Sequence, residues 1–174
     1  DPPAKQGSMK IRSAKVTPIA FRDPPLLNAA GIHEPYALRS IIELETASGL
    51  VGLGESYGDA PALAAFQAVA PALVGLDIFD LNGLRGIVLA EIANLPIAAA
   101  GAELAPGSQP GKLAANAYSA FEVALLDLQA RHAGVPLHAL LGGAIRREVP
   151  FSAYLFFKYA RHFEPEEAPD EWGE

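Results

Sequence analysis

Few residues of this chain have both the chemistry and the setting for a reaction site, and the histidine of "LLNAAGIHEPYALRS", residues 26–40, is foremost among them. His33 is followed by Glu34 and Pro35 and sits in a small-residue stretch directly before a run that reads as a β-strand. Loops held on a rigid scaffold often carry function, and an imidazole there can bond a carboxylate or a hydroxyl. The bland alternative is a connector with a solvated histidine. Glu55 falls near the end of another strand, where a carboxylate can act as a base but is usually just solvated. His132 and His138 fall at helix ends and read as dipole partners or surface groups. Four histidines and 20 carboxylates invite a metal reading. No two histidines share ligand spacing, however, and "EPEEAPDEWGE" reads as a solvated acidic tail.

Several chemistries are excluded or disfavoured. With no cysteine there is no disulfide, thiolate metal site or cysteine nucleophile. There is no G-x-G-x-x-G and no phosphate loop, and "GLGES", residues 52–56, lacks the central serine and closing glycine of a nucleophile elbow. A formal charge of −7 without a Lys/Arg cluster argues against nucleic acid. No run is apolar enough to span a bilayer and the start lacks a secretory pattern, so the expected location is the cytoplasm, away from membranes. The stretch "DPPAKQGS" reads as the remainder of an expression tag, which places the native start at Met9.

These residues need elements to position them, and 174 residues with 51% apolar side chains can bury a core. "KIRSAKVTPIAF" has the β-branched alternation of a strand, and the prolines of "RDPP" are expected to stop its ladder. "YALRSIIELETASGLVGLGESYG" then supplies two strands joined by Ala47, Ser48 and Gly49. The first half is therefore a three-stranded antiparallel meander, which needs a covering layer to be stable. That layer is helical. One helix is expected after Asp59, a second after Asp80, and a longer third through residues 112–134 with the stripe Leu113, Ala117, Ala120, Ala124 and Leu128. A short helix starts at Pro136 and is stopped by Gly142 and Gly143. Residues 148–157 alternate as a strand apolar on both faces, suited to a buried sheet for which the chain holds no partners.

In this order of elements, "FEVALLDLQARHAGVPLHALLGG", residues 121–143, resembles the N-terminal capping domain of the enolase superfamily. "RDPPLLNAAGIHEPYALRSIIELETASGLVGLGESYGD", residues 22–59, resembles its glucarate dehydratases, and "AYLFF", residues 153–157, resembles their first barrel strand. The resemblance implies an α+β capping domain over residues 9–143, the start of a truncated (β/α)₈ barrel over 144–174, and a barrel of roughly 250 residues to carry the chemistry. It implies a hydro-lyase that abstracts a proton beside a carboxylate and expels water from a hexarate, giving a keto-deoxy acid. Mg²⁺ and the bases would belong to the missing barrel. The implied substrate contacts are His33, Tyr154, Phe156 and, more weakly, Asn28, with the chain itself supplying no catalytic residue and no metal ligand. A threonine contact of the family finds no match in "AAAGAELAPGSQPGK". A homo-oligomer is expected.

Under this reading residues 22–35 form a loop that closes as a lid, with proline near each end. Three alternatives stay open: another acid-sugar dehydratase, a racemase of the same superfamily, or a non-catalytic binding or assembly module. The doubly apolar strand at 148–157 speaks against the module, since an uncovered edge of that kind aggregates.

Overall fold

The computed structural model describes residues 9–27, 33–96 and 110–152. Three strands, β1 (Ile11–Leu27), β2 (His33–Thr46) and β3 (Val51–Tyr57), form an antiparallel sheet in the order β1-β2-β3. Four helices follow: α1 (Ala60–Ala72), α2 (Leu81–Ala93), α3 (Pro110–Ala133) and α4 (Leu137–Leu140). The meander and its helical cover match the sequence reading.

Period-two alternation decides which face of the sheet is buried. Ser40, Ile42, Leu44 and Thr46 of β2 turn inward, with Gly52 and Gly54 of β3 beside them. Ala117, Ala120, Phe121, Ala124, Leu125 and Leu128 of α3 meet that face, and Phe66 of α1 packs edge-on against Phe121 with ring centroids 6.1 Å apart. The expected small-residue stripe is thus the contact face of α3. Its small side chains have a counterpart on the sheet: a Cβ built on Gly52 or Gly54 would lie less than 3.0 Å from the backbone oxygens of Ala124 or Ala120. The glycines let helix and strand approach to backbone contact.

Edges and ends are closed by specific bonds. At the free edge of β3, the Leu53 N–H donates to Asp127 Oδ2 of α3 at 3.0 Å, and Arg131 Nε holds the same oxygen at 2.9 Å. The start of β1 is covered by the α1–α2 connection, where Ile11 N donates to Leu76 O and Gly75 N to Ile11 O. Buried Gln129 donates to Ile78 O at 2.7 Å, tying α3 to the same connection. The β2–β3 turn uses Gly49 at φ +87°, and Thr46 Oγ1 accepts from Leu50 N at 3.0 Å.

Asp80 caps α2 as expected, accepting from Gly83 N at 2.7 Å. Asp59 occupies the cap position of α1 but makes no side-chain bond. Pro61, the second residue of the helix, has removed one of the two N–H groups such a cap addresses. The two caps therefore differ in worth: Asp80→Ala is expected to cost about 1 kcal/mol and Asp59→Ala a few tenths at most, read by urea denaturation. Equal losses would show that the cap bond contributes nothing. Gly134 ends α3 in the left-handed region, and Val135 N donates back to Ala130 O at 3.0 Å.

Two expectations need correction. The prolines of "RDPP" do not stop the ladder. Pairing runs from Ile11 past Arg22–Tyr36, shifts register, and resumes at Leu26–Glu34 and Leu27–His33. Asp23, Pro24 and Pro25 fall in that shift, where three residues of β1 oppose one of β2 and the missing proline donors are not needed. The second correction concerns residues 148–152, which form no strand: Val149 and Phe151 are exposed and pair with nothing described. A strand needs a neighbour to take its hydrogen bonds, and the described residues offer it none. Residues 153–157 lie outside the described residues.

Candidate functional site

The candidate site is the end of the meander where β2 begins. β3 stops at Tyr57, paired with Arg39, and beyond the bond from Gly58 to Leu38 the described residues of β2 from Ala37 back to His33 pair only with β1. The result is a two-stranded arm. Most of the stretch read as a loop at residues 22–35 belongs to it, and only residues 28–32 between the strands lie outside the described ones. His33 is the first residue of β2 and pairs with Leu27, which places its backbone at the far end of the arm. Asn28, Tyr154 and Phe156 lie outside the described residues, as does most of "AAAGAELAPGSQPGK".

Other candidates take ordinary positions. Glu55 is exposed on β3, and its Oε1 lies 3.4 Å from Arg39 Nε. That is a surface ion pair, not a poised base. His132 meets the edge of the Phe79 ring at 6.0 Å in the last turn of α3, and His138 lies in α4. Among the described residues, no group of three His, Asp or Glu side chains is placed to hold a metal ion. The clear proton-affinity shifts fall away from the arm's tip. The Arg12 guanidinium, bonded to Glu45, holds that carboxyl below its usual range, and burial followed by the bond to Glu122 pushes the Tyr118 hydroxyl up.

The sequence reading missed the arm's root. The Gly58 N–H donates to Leu38 O at 3.1 Å, and Arg39 Nη1 donates to the same oxygen at 2.9 Å. The Arg39 guanidinium also lies 5.8 Å from the centre of the Tyr57 ring. A Gly directly after an aromatic strand end was the available signal, but nothing local says what that glycine approaches.

A three-stranded meander that presents an arm at one end and is backed by a helical layer is the fold of an enolase-type N-terminal capping domain. Residues 13–142 match the mandelate racemase / muconate lactonizing enzyme N-terminal domain family. The chain belongs to that family. It is 43% identical over 171 residues to a protein of Streptomyces coelicolor described as "Probable glucarate dehydratase", covering 95% of this chain and 39% of that protein. A crystal structure of an enolase from Pseudomonas fluorescens with bound magnesium, potassium and tartrate superposes with a TM-score of 0.86 at 67% identity, over 96% of this chain and 39% of that one. Another, from Thermobispora bispora with magnesium and formate, gives 0.79 at 45% identity over 94% of this chain and 38% of that one. The chain therefore spans about two-fifths of the length of these relatives. The sequence is thus similar to that of a probable glucarate dehydratase, and the fold to those of crystallised enolases.

Proposed function

We propose that this chain is the substrate-capping part of an acid-sugar dehydratase of glucarate type, acting together with a (β/α)₈ barrel. The observation that carries the reading is the 43% identity to the Streptomyces coelicolor protein, sustained over 95% of this chain. The tartrate in the Pseudomonas fluorescens structure supports it, because tartrate, like a hexarate, bears a hydroxyl beside each carboxylate. The reaction removes the proton beside one carboxylate and expels the neighbouring hydroxyl as water, giving a keto-deoxy acid. Magnesium, which is bound in the Pseudomonas fluorescens structure, would in this reading be held by the barrel. The chain's own part is to bind and enclose. His33 at the tip of the arm, with Asn28, Tyr154 and Phe156, contacts the acid sugar.

The reading is tested by joining this chain to its barrel and assaying a panel of hexarates and pentonates with Mg²⁺. Glucarate turnover is expected, with His33→Ala, Tyr154→Ala and Phe156→Ala each raising KM or lowering kcat by about tenfold or more, as the loss of one polar or aromatic contact implies. A preference for another acid sugar would reassign the substrate, and no turnover of any would withdraw the dehydratase. The chain by itself is expected to show no turnover. Activity from the chain alone would mean that it holds catalytic groups of its own.

A further inference from the structure

We infer that Arg39 and Gly58 are positioning residues that fix the direction of the β1–β2 arm, and through it the placement of His33; the inference rests on the reading of His33 as a substrate contact. The arm has no cover of its own among the described residues. Phe21 on one face, and Tyr36 and Leu38 on the other, are between 43% and 48% exposed. An isolated two-stranded ribbon is marginal in water, and its twist leaves its direction free to vary. Whatever aims the arm must act at its root, where β3 ends.

Three observations meet at that root. The Leu38 carbonyl, at the first position beyond the three-stranded sheet, accepts from both Gly58 N and Arg39 Nη1. Arg39 lies across the end of β3, pairing with Glu55 and facing the Tyr57 ring, two residues that share one face of the strand. Gly58 approaches so closely that a Cβ there would lie 2.5 Å from Arg39 N and 2.7 Å from Leu38 C. Gly58 leads through Asp59 directly into α1, whose Leu63 N–H takes up the Asp59 carbonyl. The arm is thereby referenced to the helical layer by a short and specific path. Each exposed contact is individually weak, so the arrangement sets orientation more than stability.

Hydrogen exchange and a double-mutant cycle test this. In the 174-residue chain, Arg39→Gln should speed exchange of the arm's paired amides in residues 33–38 by about three- to tenfold while leaving α1 and α3 amides and Tm unchanged, with Arg39→Lys in between. Gly58→Ala should speed the same amides more strongly, because its Cβ would press on backbone atoms of Leu38 and Arg39. In the barrel-containing enzyme, Arg39→Gln should raise KM for the acid sugar several-fold, and should add nothing once His33 is alanine. Unchanged exchange in the arm overturns the inference. So does an impaired His33→Ala enzyme in which Arg39→Gln is silent or purely additive, and that outcome leaves the proposed function standing. Wild-type kinetics for His33→Ala would overturn the inference together with the reading of His33 as a substrate contact, and would leave the dehydratase reading standing.

Discussion

Valine at position 54 should unfold much of this protein at temperatures where the native chain is stable. Gly54 lies against the backbone of α3, and even one added carbon would press into the Ala120 carbonyl oxygen and touch the Ala124 methyl at 3.4 Å. A carbonyl in a helix cannot rotate away without breaking its own ladder, so relief requires α3 to lift from β3. That separation would open the contact face from Ala117 to Leu128, all of it buried. Overpacking against a rigid neighbour reaches the upper end of its range, about 3 kcal/mol or more. For a chain of this size that corresponds to a Tm lower by roughly 6–12 °C. Position 52 provides the control. A Cβ there would meet both the Ala124 oxygen and Leu128 Cγ, the latter at 2.5 Å, so Leu128→Ala should partly rescue Gly52→Ala and do nothing for Gly54→Ala. Thermal melts of these variants decide it, and a Gly54→Val protein melting with wild type would show that α3 is not held by this contact.

The second large loss is expected at Phe121. Its ring is fully buried at the centre of the core and meets Phe66 at an interplanar angle of 83°, with the edge-to-face geometry that aromatic rings favour. Phe121→Ala removes that pair and leaves a cavity that the helix cannot collapse into, because α3 is already at backbone contact with β3. The expected cost is about 3–5 kcal/mol, with Phe121→Leu losing under half of it. Phe66→Ala should be strongly non-additive with Phe121→Ala, since the second truncation enlarges an existing void and loses no further ring contact. Urea denaturation of the single and double variants measures this directly. Simple additivity would mean that the two rings contribute independently.

Both predictions turn on contacts between residues more than fifty apart in the chain, and that separates what was legible in the sequence from what was not. The meander, the helical cover, the buried stripe of α3, the Asp80 cap and the glycine stops after α3 and α4 follow from period, propensity and turn chemistry, which act over a few residues. The text of residues 121–143 pointed to the superfamily for the same reason: helix, cap and turn are encoded contiguously there. The roles of single residues were hidden wherever the partner lay far away. "GLGES" was read as part of a strand and compared with a nucleophile elbow, whereas its Gly52 and Gly54 admit a helix. Asp127 drew no reading of its own from the sequence, yet it accepts the Leu53 N–H at the free edge of β3. The prolines at 24 and 25 argued for a loop because proline cannot serve a regular ladder, and only the register shift shows that no ladder bond is asked of them. Arg39 gave no signal and Gly58 only that it follows an aromatic strand end, since what joins them is the Leu38 carbonyl oxygen, which Gly58 reaches from the end of β3. Local sequence determined the elements and the side each presents; tertiary structure decided which backbones touch, because close approach depends on what faces a residue across space.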